Sequence, residues 1–153
     1  MRGNAQKSME ILIVEDNSGN EGRIRNFLEG MKEGLILHVV RNEQETRAFL
    51  YKNGDFAGVP TPDLILLDLD FSKKWGRDIL KEIKSNDMLK RIPVIIFSFC
   101  ENETDILEGY ENRANCYIIR PNEMHRFEKV MQSMFDFWIH IVTLPPQKDG
   151  NSS

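Results

Sequence analysis

Short apolar runs alternate with apolar residues at helical spacing along most of the chain. Residues 11–14, Ile-Leu-Ile-Val, form an unbroken aliphatic run closed by polar residues. A strand buried on both faces reads this way, because its successive side chains point to opposite sides of the sheet. Ile24, Phe27, Leu28 and Met31 then recur three and four positions apart, which is the stripe of an amphipathic helix. Leu35–Val40 predicts a second strand. Asn42 with Glu45 forms a capping box, opening a helix that ends near Asn53-Gly54. Pro60 and Pro62 introduce a third strand over 64–69, and Ile79, Leu80 and Ile83 give the next helical face. Pro93 precedes a fourth strand over 94–97, and Ile106, Leu107 and Tyr110 mark a further helix. Cys116–Ile119 predicts a fifth strand, stopped by Arg120-Pro121, and a last helix runs over 122–143 before Pro145-Pro146.

Five strands, each followed by a helix, predict an α/β fold with one five-stranded parallel sheet and helices on both faces. Right-handed crossovers leave few topologies, and the common solution is the doubly wound, flavodoxin-like order 2-1-3-4-5. In that order the chain reverses direction between strands 1 and 3, opening a crevice at their carboxyl ends where function is to be sought. One domain over 9–145 is expected, with disordered polar segments at 1–8 and 146–153.

Composition narrows the function classes. At 153 residues, 41% hydrophobic and 29% charged, the chain fits an ordinary globular domain. A net charge of −4 supplies no basic footprint for nucleic acid. The aliphatic runs are too short to span a bilayer, and residues 1–10 lack the apolar region of a secretory signal. The two cysteines, Cys100 and Cys116, have no metal-ligand or redox spacing and are expected to be reduced. These features predict a cytoplasmic protein.

The chemistry gathers at the predicted strand ends. Strand 1 ends in Glu15-Asp16, strand 3 in Asp68 with Asp70 two positions on, strand 4 in Ser98 and strand 5 in Arg120. Acids converging on one crevice repel, which raises a pKa or demands a cation. A few carboxylates with positions left open to water and phosphate are how proteins hold Mg²⁺. A metal, a carboxylate nucleophile, a hydroxyl and a fixed cation are the parts that phosphoryl transfer needs. Each residue alone has a commonplace reading, as a helix cap, a loop hydroxyl or a surface charge. Their appearance in order at the ends of four core strands does not.

The residues over about 9–144 resemble the response-regulator receiver family. Ser98, Tyr117 and Arg120 lie 30, 49 and 52 positions beyond Asp68, spacings that match the family's switch hydroxyl, switch aromatic and basic position. The resemblance implies that Asp68 accepts a phosphoryl group from a partner histidine kinase. It implies that Glu15, Asp16, Asp68 and the backbone carbonyl of Asp70 bind Mg²⁺. Ser98 and Arg120 would contact the phosphoryl oxygens, and Tyr117 would turn inward to reshape the face made by helix 4, strand 5 and helix 5. The segment Phe137-Trp138-Ile139-His140-Ile141 looks like the last helix of small receivers that accompany phytochrome-type kinases. Three departures from the family pattern, Arg120 for Lys, Phe99 for a small residue and the extra acid Asp70, imply altered phosphorylation or hydrolysis rates. The family's basic-residue–Pro bond is typically cis, so the same is expected at Arg120-Pro121.

At about 100° per residue, Phe127, Met131, Met134, Trp138 and Val142 form one stripe of the last helix. Val130, Phe137, Ile141 and Leu144 widen it on one side, and Phe135 and Ile139 on the other, beyond what one packing face requires. A homodimer through Phe137, Trp138 and Ile141 is therefore expected. No DNA-binding or enzymatic segment follows in the sequence, so output is expected to pass through an unidentified downstream protein. Two alternatives use the same residues. One is a phosphorylation-independent binding module of the same fold. The other is a haloacid-dehalogenase-like phosphatase, whose Asp-x-Asp motif Asp68-Leu69-Asp70 resembles; that family, however, places its metal acids downstream, and here Glu15-Asp16 lies upstream.

Overall fold

The structure, a computed structural model, describes residues 8–16, 18–31 and 34–146. The polar ends expected to be disordered lie outside the described residues apart from Ser8 and Pro146. Five strands, β1 (Met9–Glu15), β2 (Leu35–Val40), β3 (Leu64–Asp68), β4 (Val94–Ser98) and β5 (Cys116–Ile119), pair in parallel in the order β2-β1-β3-β4-β5. Helices α1 (Ser18–Glu29), α2 (Glu43–Leu50), α3 (Lys74–Ser85), α4 (Glu103–Glu111) and α5 (Met124–Phe135) connect and follow them.

The unbroken aliphatic runs divide between two cores by parity. Leu12, Val14, Ile65, Leu67, Val94 and Ile96 pack with α2, α3 and the start of the α3–β4 loop, through Phe49, Ile79, Leu80, Ile83 and Leu89. Ile11, Ile13, Leu64, Leu66, Ile95 and Phe97 pack on the other face against Ile24 and Leu28 of α1 and Phe127, Met131, Met134 and Phe135 of α5. All of these core side chains are buried, and each contributes on the order of 1.5–3 kcal/mol through the apolar surface it removes from water.

The capping signals act as expected at α2. Asn42 Oδ1 accepts from Glu45 N–H at 2.8 Å, and Glu45 reaches back to accept from Arg41 N–H at 2.8 Å. This helix stops at Leu50, before the expected end, because the chain enters a turn at Tyr51 and takes a positive φ of 59° at Lys52.

Two further expectations are corrected. The last helix is not α-helical to 143: after Phe135 it widens into π-helical turns over Asp136–Ile141, closed by Val142 N–H donating to Phe137 O at 2.9 Å. An i→i+5 ladder turns less per residue than an α-helix, so the stripe does not continue straight. Phe135, placed on the flank, is fully buried, whereas Trp138 and Val142 are only half-buried. The second correction is at Arg120-Pro121, which is trans, as are all described peptide bonds.

Candidate functional site

Sheet register assembles the crevice. β1 and β3 pair so that Glu15 lies beside Asp68, β3 and β4 so that Asp68 lies beside Phe97, and β4 and β5 so that Ser98 lies beside Ile119. Asp16, Asp68, Asp70, Lys73, Ser98, Phe99, Cys100 and Arg120 line a crevice of about 690 Å³ over these carboxyl ends.

At its floor are two buried charges of opposite sign. Asp68 and Arg120 are each only 2% exposed, and Arg120 Nη1 donates to Asp68 Oδ1. The pair is incompletely satisfied: among the described residues Asp68 Oδ2 meets no N–H or hydroxyl donor, and Arg120 Nε and Nη2 meet no acceptor. Burial pushes Asp68 above the ordinary carboxylate range because it disfavours the charged form. The interaction with Glu15 and the charge of Arg120 work in the other direction. The guanidinium is held by aromatic faces, with the rings of Phe127, Phe97 and Phe99 centred 4.9, 5.1 and 5.4 Å from its central carbon. Arginine suits such a cage better than lysine, because its planar, weakly hydrated head stacks on rings. Phe99 and Arg120, two departures from the family pattern, are thus in contact with each other.

The rim carries a second ion pair. Lys73 Nζ donates to Asp16 Oδ2 at 2.9 Å, and that hydrogen bond raises the Lys73 pKa. Asp70 turns its side chain into its own loop. Its Oδ1 accepts from the Ser72 hydroxyl at 2.6 Å and from Ser72 N–H at 3.0 Å, and the hydroxyl contact lowers its pKa. The Asp70 carbonyl accepts from Lys73 N–H at 2.9 Å and keeps a second lone pair. The donor set suits a hard divalent cation, being all oxygen, with Asp68 Oδ2 buried and lacking an N–H or hydroxyl donor. Yet no three acidic, histidine or cysteine side chains among the described residues gather closely enough to hold a metal ion. Two cations, Arg120 and Lys73, stand among the carboxylates instead.

Ser98 and Tyr117 flank the loop after β4. Ser98 Oγ accepts from Cys100 N–H at 3.1 Å and from Phe71 N–H at 3.3 Å. Tyr117 donates its hydroxyl to Cys100 O at 2.8 Å and packs edge-on against Phe71 at 5.9 Å; burial pushes its pKa up to about 12. Gly109 of α4 makes this packing possible, since a Cβ there would stand 2.8 Å from Ile96 Cδ1 and 3.2 Å from Tyr117 Cδ2. Arg77 ties the β3–α3 loop to α4. It donates to the carbonyls of Ser72 and Phe71 at 2.9 and 3.3 Å, and pairs with Glu108 and Asp105 at 3.4 and 3.6 Å.

The response regulator receiver domain family matches residues 11–132. The chain belongs to the response-regulator receiver family. Response regulator Rcp1 of Synechocystis sp. is 38% identical over 135 residues, 88% of this chain and 92% of that protein. A crystal structure of the phosphorylated cyanobacterial phytochrome response regulator RcpA superposes with a TM-score of 0.85 at 37% identity, covering 91% of this chain and 99% of that one. The Mn²⁺-bound form of Rcp1 does so with a TM-score of 0.84 at 37% identity, covering 90% and 99%.

In this receiver domain Asp16, Asp68, Asp70, Ser98 and Arg120 line one crevice, with Glu15 buried beside Asp68. Tyr117 lies one contact away, through Cys100. Phe137 and Ile141 are exposed near the end of the described chain, 49% and 69%, and Trp138 meets Phe137 edge-on at 5.6 Å. Sequence reasoning missed Lys73, Arg77 and the rings of Phe97 and Phe127. Basic residues just after strand 3 carry no periodic signal, and the two phenylalanines read as core.

Proposed function

We propose that this response regulator is a phosphoacceptor switch acting on Asp68. The observation that carries the reading is the buried Asp68 carboxylate, with Oδ2 meeting no N–H or hydroxyl donor, beside Glu15 and paired with Arg120 at the crevice floor. An Asp68 oxygen attacks the phosphorus of a kinase phosphohistidine; the P–N bond breaks and the imidazole leaves with its electron pair, giving an acyl phosphate. Glu15, Asp16, Asp68 and the Asp70 carbonyl would hold Mg²⁺. A cation held by these groups would neutralise charge on the carboxylates and the phosphoryl oxygens.

Arg120, caged by rings, keeps a fixed cation at the phosphoryl group, with Nε and Nη2 available to its oxygens. Ser98 exchanges its bonds with Phe71 and Cys100 for one to a phosphoryl oxygen. That exchange frees the loop which Tyr117 grips at Cys100. Tyr117, which already lies inward against Phe71, shifts with that loop and alters the face of α4, β5 and α5, where Leu107, Tyr110 and Ile119 are exposed. Likeness to phytochrome response regulators supports a phytochrome-like histidine kinase as donor, in the cytoplasm, with an unidentified downstream protein reading that face. The protein works as a switch and not as a turnover enzyme. No helix among the described residues is long and apolar enough to cross a membrane.

Incubation with acetyl phosphate and Mg²⁺, read by intact mass, tests the proposal. One labile phosphoryl adduct is expected, absent in Asp68→Asn. An undiminished adduct in that variant sinks the assignment, and no adduct on the parent leaves the phosphorylation-independent module. Exposed Phe137 and Ile141, with the half-buried Trp138 edge-on to Phe137, support a homodimer. Sedimentation should give a dimer for the parent and a folded monomer for Phe137→Glu/Ile141→Glu; a parent that stays monomeric at tens of micromolar removes that part.

A further inference from the structure

Lys73 stands at the mouth of the crevice. It is the last residue before α3, in extended backbone with φ −74° and ψ 136°. From there its ammonium crosses the mouth of the crevice to Asp16, 57 positions away in sequence. The same residue engages a second oxygen, since its own N–H donates to the Asp70 carbonyl. Lys73 thus touches both the carboxylate and the carbonyl at the rim that are read above as cation ligands. The neighbouring Lys74 carries equal charge, but it turns outward and pairs with Asp78 at 2.8 Å.

We propose that Lys73 is a built-in competitor of the divalent cation, a positioning residue whose ammonium holds Asp16 until metal displaces it. The proposal rests on the reading of Asp16 as a ligand. Among the described residues the acids of the site do not gather around a common point, and Asp16 is held at Oδ2 by this ammonium, so a cation that draws Asp16 in competes with Lys73 for it. The Lys73 side chain is 51% exposed and that of Asp16 12%. A half-exposed ion pair is a weak contact, so the competition tunes cation affinity by about two- to fivefold and does not block it. A hydrated ammonium on a flexible stem also withdraws without leaving a buried group unpaired. The site therefore trades one cation for another, and its metal loading has a threshold set by a residue that is not itself a ligand.

The test is titration of the full chain with Mg²⁺ and with Mn²⁺ by calorimetry, at fixed ionic strength. The proteins compared are the parent, Lys73→Met, Lys73→Arg, Lys74→Met and Asp16→Ala. Lys73→Met should bind both ions about two- to fivefold more tightly. Lys74→Met, which removes the same charge one position along, and Lys73→Arg, which keeps it, should stay close to the parent. Unchanged affinity in Lys73→Met overturns the proposal, as does equal tightening in Lys73→Met and Lys74→Met, which would mean that only the general field matters. Asp16→Ala separates the two failures. If it binds as the parent does, Asp16 is not a ligand and the proposal falls with that assignment. If it loses binding while Lys73→Met is unchanged, the ligand stands and only the competitor is refuted.

Discussion

Two buried cations at opposite ends of the sheet are treated in opposite ways. Lys84 of α3, 8% exposed, sits near the amino ends of β4 and β5 and spends its three donors on neutral oxygens. It bonds Ile92 O at 2.7 Å, Asn115 Oδ1 at 3.1 Å and Lys90 O at 3.2 Å. Those bonds pin the α3–β4 loop and the entry to β5. Arg120, at the carboxyl ends and 2% exposed, pairs with Asp68 yet among the described residues leaves two nitrogens without an acceptor, opposite a carboxylate that is itself incompletely satisfied. A buried cation with every donor satisfied acts as structure. One left partly unsatisfied is held ready for a ligand, because unmet donors in a low-dielectric site cost free energy until something binds them.

The comparison breaks most readily on stability. Lys84→Met should cost about 2–3 kcal/mol, because the buried Ile92 carbonyl and the part-buried Lys90 carbonyl lose their donor, while leaving the phosphoryl adduct on Asp68 intact. The double variant Asp68→Asn/Arg120→Met should be at least as stable as the parent, since neutral groups of similar shape replace an imperfect buried pair. Denaturant unfolding followed by circular dichroism measures both. Equal losses in the two variants would erase the distinction.

Function should show the reverse order. Arg120→Lys removes a planar head from its three-ring cage and is expected to change phosphorylation rate or acyl-phosphate lifetime several-fold, with stability nearly unchanged. Quench-flow labelling and decay of the intact-mass adduct report the two quantities. Kinetics matching the parent would place Arg120 outside the phosphoryl contacts.

A smaller effect lies in pH. Burial lowers the Lys84 pKa from its usual 10.5, so between the folded value and 10.5 the unfolded chain binds more protons and the folded state gains as pH rises. This contribution is fully present above 10.5 and lost as pH falls through the folded value. The stability difference between parent and Lys84→Met should therefore widen from neutral pH toward 10.5; a constant difference would mean that Lys84 titrates alike in both states. Smallest of all, Phe99→Leu removes one exposed ring of the three. A partly solvated cation–π contact is worth about 0.5–1 kcal/mol, so roughly a two- to fivefold change in adduct lifetime is expected, below that of Arg120→Lys.

The sequence by itself determined the five strands, their order and the residues at their carboxyl ends. Strand and helix periods are local, and once strand order follows from them, the end of each strand can only lie at one edge of the sheet. Glu15, Asp68, Ser98 and Arg120 were legible because they close apolar runs. The tertiary structure alone decided what surrounds them. Lys73 on Asp16, Arg77 on Asp105 and Glu108, and three rings about Arg120 join residues from different elements. Such contacts depend on loop path and rotamer, which no periodicity encodes. The π-helical turn after Phe135 and the trans bond at Arg120-Pro121 are of the same kind. Each is a small local choice among near-equal backbone states, settled by what the surrounding chain packs against it.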